Sequence, residues 1–327
     1  MIILVTGCAG MIGSRFCHWV LENKKDVMII GIDDLSGGYL EHIPQGVYFQ
    51  KMNLVHDNVE NIFINHKIDY VYHFAAYAAE GLSPFIRHFN YETNLIATVR
   101  LINMAIKYNV KKFIFTSSLA VYGHGEVPFD ERDVPKPIDP YGISKLACEL
   151  DLQVAYAQHG LEYTIIRPHN VYGINQNIWD KYRNVLGIWV RQILNNEPIS
   201  IYGNGEQRRA FTFVDDILEP LWNAIDKKST DEIINLGGFE SITILDAAKT
   251  LIDVAGKGEM KFLECRHEVQ NAFSTYQKSI DFLGFEHKIG LKEGLEKMWE
   301  WAKIQPNRPV YKWENYEIEK GLYQYWR

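Results

Sequence analysis

Short apolar runs and amphipathic stretches alternate along the first half of the chain. Ile2–Thr6, Val27–Ile32, Val47–Gln50, Asp69–Phe74, Lys111–Ser117 and Leu161–Arg167 are rich in Val, Ile, Tyr and Phe and have the length of strands. Between them, Gly13–Asn23, Asn94–Asn109 and Tyr141–His159 read as helices. In the second of these, Leu95, Val99, Ile102 and Ile106 recur at helical spacing. Strands that are apolar almost throughout and separated by helices are buried on both faces, which implies a parallel sheet with helices on each side. The expected fold is α/β, a doubly wound parallel sheet.

Beyond about residue 170 the alternation loosens. Gly173–Asn184 and Ile201–Arg209 read as loops, and Ile233–Leu236 as a strand that returns to the main sheet. Residues 1–170 are therefore expected to form the sheet domain. Residues 171–327 fall mostly in a smaller, interleaved lobe over the open end of the sheet, where ligands of such folds bind. The polar stretch Asn175–Asn184 reads as a solvated loop. The tail, with Trp313, Tyr316, Tyr323, Tyr325 and Trp326, reads as packed on its own domain, a subunit contact being the sharper alternative.

Composition narrows the function without naming it. With 47% hydrophobic and 23% charged residues among 327, the chain is globular. A net charge of −7, from 34 Lys plus Arg against 41 Asp plus Glu, argues against a nucleic-acid partner. The four cysteines, Cys8, Cys17, Cys148 and Cys265, lie far apart, so neither a disulfide framework nor a metal site is expected. No apolar stretch is long enough to span a bilayer, and Met1–Gly7 reads as a strand rather than a leader. A soluble, cytoplasmic protein is the expectation.

Gly7-Cys-Ala-Gly10-Met-Ile-Gly13 follows the first strand and opens the first helix. Glycines at this spacing give a tight turn, let the backbone approach a pyrophosphate, and let helix and sheet pack closely. The free N–H groups of the helix start attract the anion. Asp33, at the end of the second strand, suits the hydroxyls of an adenosine ribose and repels a 2′-phosphate, which favours NAD over NADP. The sheet is thus of the Rossmann type.

Three Tyr-x-x-x-Lys pairs occur: Tyr108–Lys112, Tyr141–Lys145 and Tyr316–Lys320. The first straddles a helix end and the third lies in the tail. Tyr141 and Lys145 follow Pro140 at a helix start, where residues i and i+4 share a face. A free phenol, with a pKa of about 10, is a poor base at neutral pH. The Lys145 ammonium and a positive nicotinamide ring both favour its ionised form.

With Thr116-Ser117-Ser118, His73-Phe-Ala-Ala76, Val121-Tyr-Gly123, Arg167-Pro-His-Asn-Val-Tyr-Gly173 and the run Gly203–Asp216, these motifs resemble the extended short-chain dehydrogenase/reductase family. Within it, nucleotide-sugar epimerases of the UDP-glucose 4-epimerase type are the nearest in pattern. The resemblance implies NAD-dependent 4-epimerization of a UDP-hexose through a transient 4-keto sugar, with N-acetylated hexoses included. Tyr141 would be the base, Lys145 would hold the nicotinamide ribose, and Ser118 would bond the reacting sugar oxygen.

The resemblance further places Gly7, Gly10, Met11, Ile12 and Gly13 at the pyrophosphate, and Asp33 and Asp34 at the ribose. Asn53 and Leu54 fall near adenine, Asn53 offering an amide oxygen where the family usually has Asp. Phe74, Ala75, Ala76, Asn94, Ser117 and Pro168 complete the cofactor set. Asn170, Arg209 and Arg266 would meet the diphosphate, Tyr202 would stack on uracil, and Ala272 would stand beside the sugar 2-substituent with Phe273 turned to the core. A homodimer pairing helices around Asn94–Lys107 and Lys145–His159 is also implied.

Sugar 4,6-dehydratases of the family carry an Asp-Glu pair where this chain has Leu119 and Ala120, neither able to transfer a proton. Two other classes stay open: an NAD(P)-dependent reductase or other enzyme of a different nucleotide sugar, and a non-catalytic NAD-sensing protein.

Overall fold

The computed structural model describes residues 1–327. Six strands form in the first half: β1 (Ile2–Thr6), β2 (Met28–Asp33), β3 (Val47–Lys51), β4 (Tyr70–His73), β5 (Lys112–Thr116) and β6 (Glu162–Pro168). Each lies within a residue or two of its expected place. For the inner strands an apolar run of this length has few other ways to be buried on both faces, while β3, at the sheet edge, is only partly covered. The helices Met11–Asn23 and Pro140–His159 also match.

The expected helix Asn94–Asn109 differs at its start. One π-helical turn, Glu92–Ile96, precedes the regular helix Ala97–Lys107. Such a turn re-aims its side chains. Here Asn94 is buried, with its side chain bonded to the backbone of Tyr77.

The chain then builds a second lobe. β7 (Asn170–Tyr172), β8 (Ile199–Tyr202) and β9 (Arg208–Phe213) are short, and the expected loop Ile201–Arg209 is in fact a turn between β8 and β9. β10 (Glu232–Leu236) returns to pair in parallel with β6. The main sheet is thereby seven-stranded and parallel, ordered β10-β6-β5-β4-β1-β2-β3. β11 (Ser241–Thr243), β12 (Met260–Leu263) and β13 (Asn271–Ala272) complete the lobe, β11 and β13 flanking β9 and β12 pairing β8.

Two apolar clusters fill the faces of the main sheet. One includes Leu4, Val71, Leu101, Phe113 and Leu152; the other includes Ile3, Phe16, Ile166, Leu218 and Leu283. A third holds the second lobe around Trp189, Phe213, Leu251 and Met298. The aromatic tail packs on its own chain, where Leu322 and Trp326 join Tyr77, Phe85 and Tyr182. No helix is long and apolar enough to cross a membrane.

Candidate active site

One cavity of about 940 Å³ runs along the carboxyl ends of the main-sheet strands and under the second lobe. Its dinucleotide end begins at Gly7, whose φ of +72° favours glycine, and where a Cβ would meet the Ala75 nitrogen at 2.7 Å. A Cβ on Gly13 would fall 2.1 Å from the Gly7 carbonyl. Gly10 opens the helix Met11–Asn23 with no side-chain cap and no acid in its first turn. The helix start therefore presents unopposed N–H groups to an anion.

Asp33 secures this turn. Its carboxylate accepts the Ala9 N–H at 3.0 Å and the Leu35 N–H at 2.8 Å, while burial raises its pKa. Asp34 accepts from the Asn53 side chain at 2.9 Å. The Asn53 amide oxygen, offered by the sequence to adenine, is occupied by the N–H groups of Val55 and His56. Leu54, Phe74, Ala75, Ala76, Ser117 and Pro168 line the cavity with Met11 and Ile12. Asn94 does not: it stands behind the wall, where its side chain accepts the Tyr77 N–H at 2.8 Å and donates to the Tyr77 carbonyl at 3.2 Å. The cradle, the free helix start and the carboxylate at the end of β2 together fit a dinucleotide.

Ser118, Tyr141 and Lys145 line the same cavity. Asp139 starts the tyrosine's helix by accepting the Gly142 N–H at 2.9 Å, with Pro140 at the first helical position. Ser83 accepts the Tyr141 N–H at 3.1 Å. Lys145 donates from Nζ to the Thr116 carbonyl at 2.7 Å and lies 5.9 Å from the Tyr141 ring centre. Its ammonium is thus turned to the strand end rather than to the phenol.

The electrostatics follow from that placement. Burial pushes the Tyr141 phenol well up, the Glu80 and Asp139 carboxylates add to the rise, and the Ser118 hydroxyl and Arg183 oppose it. Burial lowers Lys145 to about 8, with Cys148 and Glu149 opposing. In the protein alone burial and the two carboxylates hold the phenol above its ordinary value, so its ionisation would draw on the second cation expected from the sequence, the nicotinamide ring.

At the far end, Arg209 donates to the carbonyls of Arg208, Val269 and Gln270. Arg266 covers one face of Tyr202 at 3.9 Å and donates to Glu268 at 3.1 Å. Tyr325 of the tail leans on the same ring at 4.9 Å. Asn170 lines the cavity while donating to the Ala210 carbonyl at 3.0 Å. Ala272 pairs beside Arg209 and lines the cavity; Phe273 does not.

Of the other Tyr-x-x-x-Lys pairs, Lys112 is buried against the Asp226 carbonyl and Ser229 and does not line this cavity. Lys320 lines the cavity, brought there by the tail.

Residues 3–237 match the NAD dependent epimerase/dehydratase family. The chain belongs to that family. The UDP-glucose 4-epimerase of Thermotoga maritima, solved with UDP-glucose, shares the fold at a TM-score of 0.87 and 33% identity, over 92% of this chain and 98% of its own. The UDP-glucuronic acid 4-epimerase of Bacillus cereus, in complex with UDP-glucuronic acid and NAD, gives 0.84 and 28% over 93% and 99%. Human dTDP-D-glucose 4,6-dehydratase is 31% identical over 337 residues, 98% of this chain and 92% of its own. NAD is the cofactor of this family.

Several members of this epimerase/dehydratase site carry no motif. The stretch Asn175–Asn184 is not a solvated loop: none of its residues is exposed, and Gln176, Asn177, Tyr182, Arg183 and Asn184 line the cavity. Asp180 accepts from Tyr182, Arg183 and Tyr77, which hides its charge and explains its burial. Glu80, Asp139 and Glu268 also line the cavity. Only Asp139 had a legible signal, since Asp-Pro ahead of an apolar helix marks a helix start.

Proposed function

We propose that the protein is an NAD-dependent 4-epimerase of UDP-hexoses, acting on UDP-glucose and UDP-galactose and on their N-acetylated forms. One observation carries this reading. Ser118, Tyr141 and Lys145 share the cavity with the glycine turn, while Leu119 and Ala120, also on its wall, offer no acid or base for removing water. The family relatives include both 4-epimerases and a 4,6-dehydratase, and this wall favours the former.

Bound NAD supplies a reversible hydride acceptor and, when oxidised, a positive ring. The chain's own residues do the rest. Tyr141 takes the proton of the sugar 4-hydroxyl and returns one to the 4-keto oxygen. Ser118 holds that oxygen, and Lys145, fixed by Thr116, orients the ribose. A neutral phenol in the free protein suits a base that ionises only beside a bound cation. Arg209 and Arg266 would take the diphosphate, by exchanging their present carbonyl and Glu268 partners.

A second copy of the chain is the partner we propose. The helical segments 92–107 and 140–159 leave Ile96, Ile143, Leu150 and Val154 exposed. A solution mass of twice the chain would support this pairing, and a monomer at micromolar concentration would end it.

The decisive assay incubates purified protein with UDP-hexoses and follows sugar identity by NMR and absorbance at 340 nm together. Epimer formation without net NADH supports the reading. Stoichiometric NADH change marks a reductase, and binding without conversion marks a sensor.

A further inference from the structure

Glu80 stands in the cavity but belongs to neither the cofactor set nor the catalytic trio. Its backbone is fixed on the tyrosine side: the Ser83 hydroxyl donates to the Glu80 carbonyl at 2.8 Å and accepts the Tyr141 N–H at 3.1 Å. On the opposite side its neighbour Gly81 approaches Arg266, where an added Cβ would lie 3.6 Å from Nη1. Residue 80 thus lies between the reacting phenol and the arginine end. A hexose whose 4-hydroxyl reaches Tyr141 while its diphosphate reaches Arg209 and Arg266 must pass this point.

The other carboxylates of the cavity have partners. Asp33 and Asp34 accept from the backbone, Asp139 caps its helix, and Glu268 pairs with Arg209 and Arg266. The Glu80 carboxylate accepts no hydrogen bond and joins no ion pair, and its neighbours act on it only through space. It faces open cavity with its acceptors free.

We propose that Glu80 makes the sugar subsite selective for hexoses with an uncharged C5 substituent and excludes hexuronic acids. The inference rests on the UDP-hexose reading above and deepens it. A free carboxylate is satisfied by the hydroxyl donors of a neutral hexose. A sugar carboxylate would instead set like charges side by side in a cavity from which the bound substrate displaces water. The cations nearby offer no relief, because the diphosphate occupies Arg209 and Arg266. Discrimination by repulsion is an economical route to specificity when the competing ligand differs by one charge.

The test compares, at about pH 8.5 where the Glu80 carboxyl is ionised despite its raised pKa, kcat/KM of NAD-loaded parent, Glu80→Gln and Glu80→Ala on UDP-galactose and on UDP-glucuronate. The parent is expected to prefer the neutral sugar by about a hundredfold, the scale of a desolvated like-charge contact. Glu80→Gln, which keeps size and removes charge, should narrow that preference at least tenfold through a gain on the uronate, and Glu80→Ala should follow. A parent that turns over both sugars equally overturns the inference, as do variants that lose activity on both alike. Turnover of neither sugar by the parent removes the epimerase reading together with this one. Turnover of the neutral sugar with an unchanged ratio in both variants removes this one alone.

Discussion

Arg167 and Glu149 form a two-pronged ion pair, at 2.9 and 2.5 Å, that is closed to solvent beneath the floor of the cavity. Glu149 lies on the catalytic helix and Arg167 on β6, so the pair ties the tyrosine's helix to the sheet. Ser117 donates to the same carboxylate at 2.5 Å, adding the end of β5 to the knot. Removing one partner leaves a buried charge uncompensated, which costs roughly 3–5 kcal/mol. Arg167→Met should therefore lower the denaturation midpoint sharply. Adding Glu149→Leu should recover much of the loss. A single variant as stable as the parent would refute the account, and so would a double variant no better than the single.

Tyr141→Phe should reduce turnover at least about a hundredfold, since losing a general base typically costs 10²–10⁴. The cofactor should stay bound, because the glycine turn and Asp33 are untouched. Near-parental turnover in a cofactor-loaded variant would dismiss Tyr141 as the base.

Asp33→Ala should weaken NAD and narrow its advantage over NADP, measured as the ratio of the two dissociation constants. The carboxylate also fixes Ala9 and Leu35, so some loss for both cofactors is expected. The ratio isolates the ribose contact from that loosening. An unchanged ratio would show that Asp33 serves only the turn.

Ala272→Tyr should suppress UDP-N-acetylhexosamines while sparing UDP-glucose. Filling the space beside the 2-substituent overpacks it by about 1–3 kcal/mol, roughly fivefold to 150-fold in kcat/KM. Equal losses on both classes, or no activity of the parent on UDP-N-acetylglucosamine, would remove Ala272 as the gate.

Acid stability offers a separate check on Glu80. Burial and Asp139 hold its carboxyl above the ordinary range, so the folded state binds a proton that the unfolded chain has already released. That contribution is full below about pH 4 and lost as pH rises through the raised value. His73 and His169, lowered by burial to about 3 and about 4, act in the reverse sense, losing their contribution as pH falls below their unfolded value. They do so equally in parent and variant and cancel from the difference. Glu80→Gln should therefore melt above the parent at pH 8, with the gap closing towards pH 5. A gap independent of pH would mean that Glu80 is not held in this way.

The strands of the main sheet were legible because most are short, predominantly apolar runs, and the glycine turn because its spacing has a steric reason. The second lobe was harder to read. Its strands are two to six residues long, too short to show a period, and its helix Leu291–Lys303 begins at Gly290 without a side-chain cap. Asn175–Asn184 misled because Asp180 and Arg183 satisfy each other, so a stretch that is polar in sequence packs as a wall. Glu80 carries no local signal at all; only the fold brings it beside Tyr141. Asn94 looked like a cofactor contact until the π-helical turn pointed it at Tyr77.

The route of the chain between the lobes limits how the protein can be divided. After the second lobe begins at β7, residues 214–236 come back to the main sheet. Residues 241–272 leave it again, Leu283 and Phe285 return to it, and Leu295–Ala302 end in the second lobe. A fragment stopped at residue 170 would lack β10 and leave the edge of β6 bare, a ready template for pairing with another chain. Exchanging the sugar-facing lobe for that of a relative would need a splice at every one of these crossings. New specificity in this scaffold is accordingly easier to reach through single wall positions than through transplanted segments.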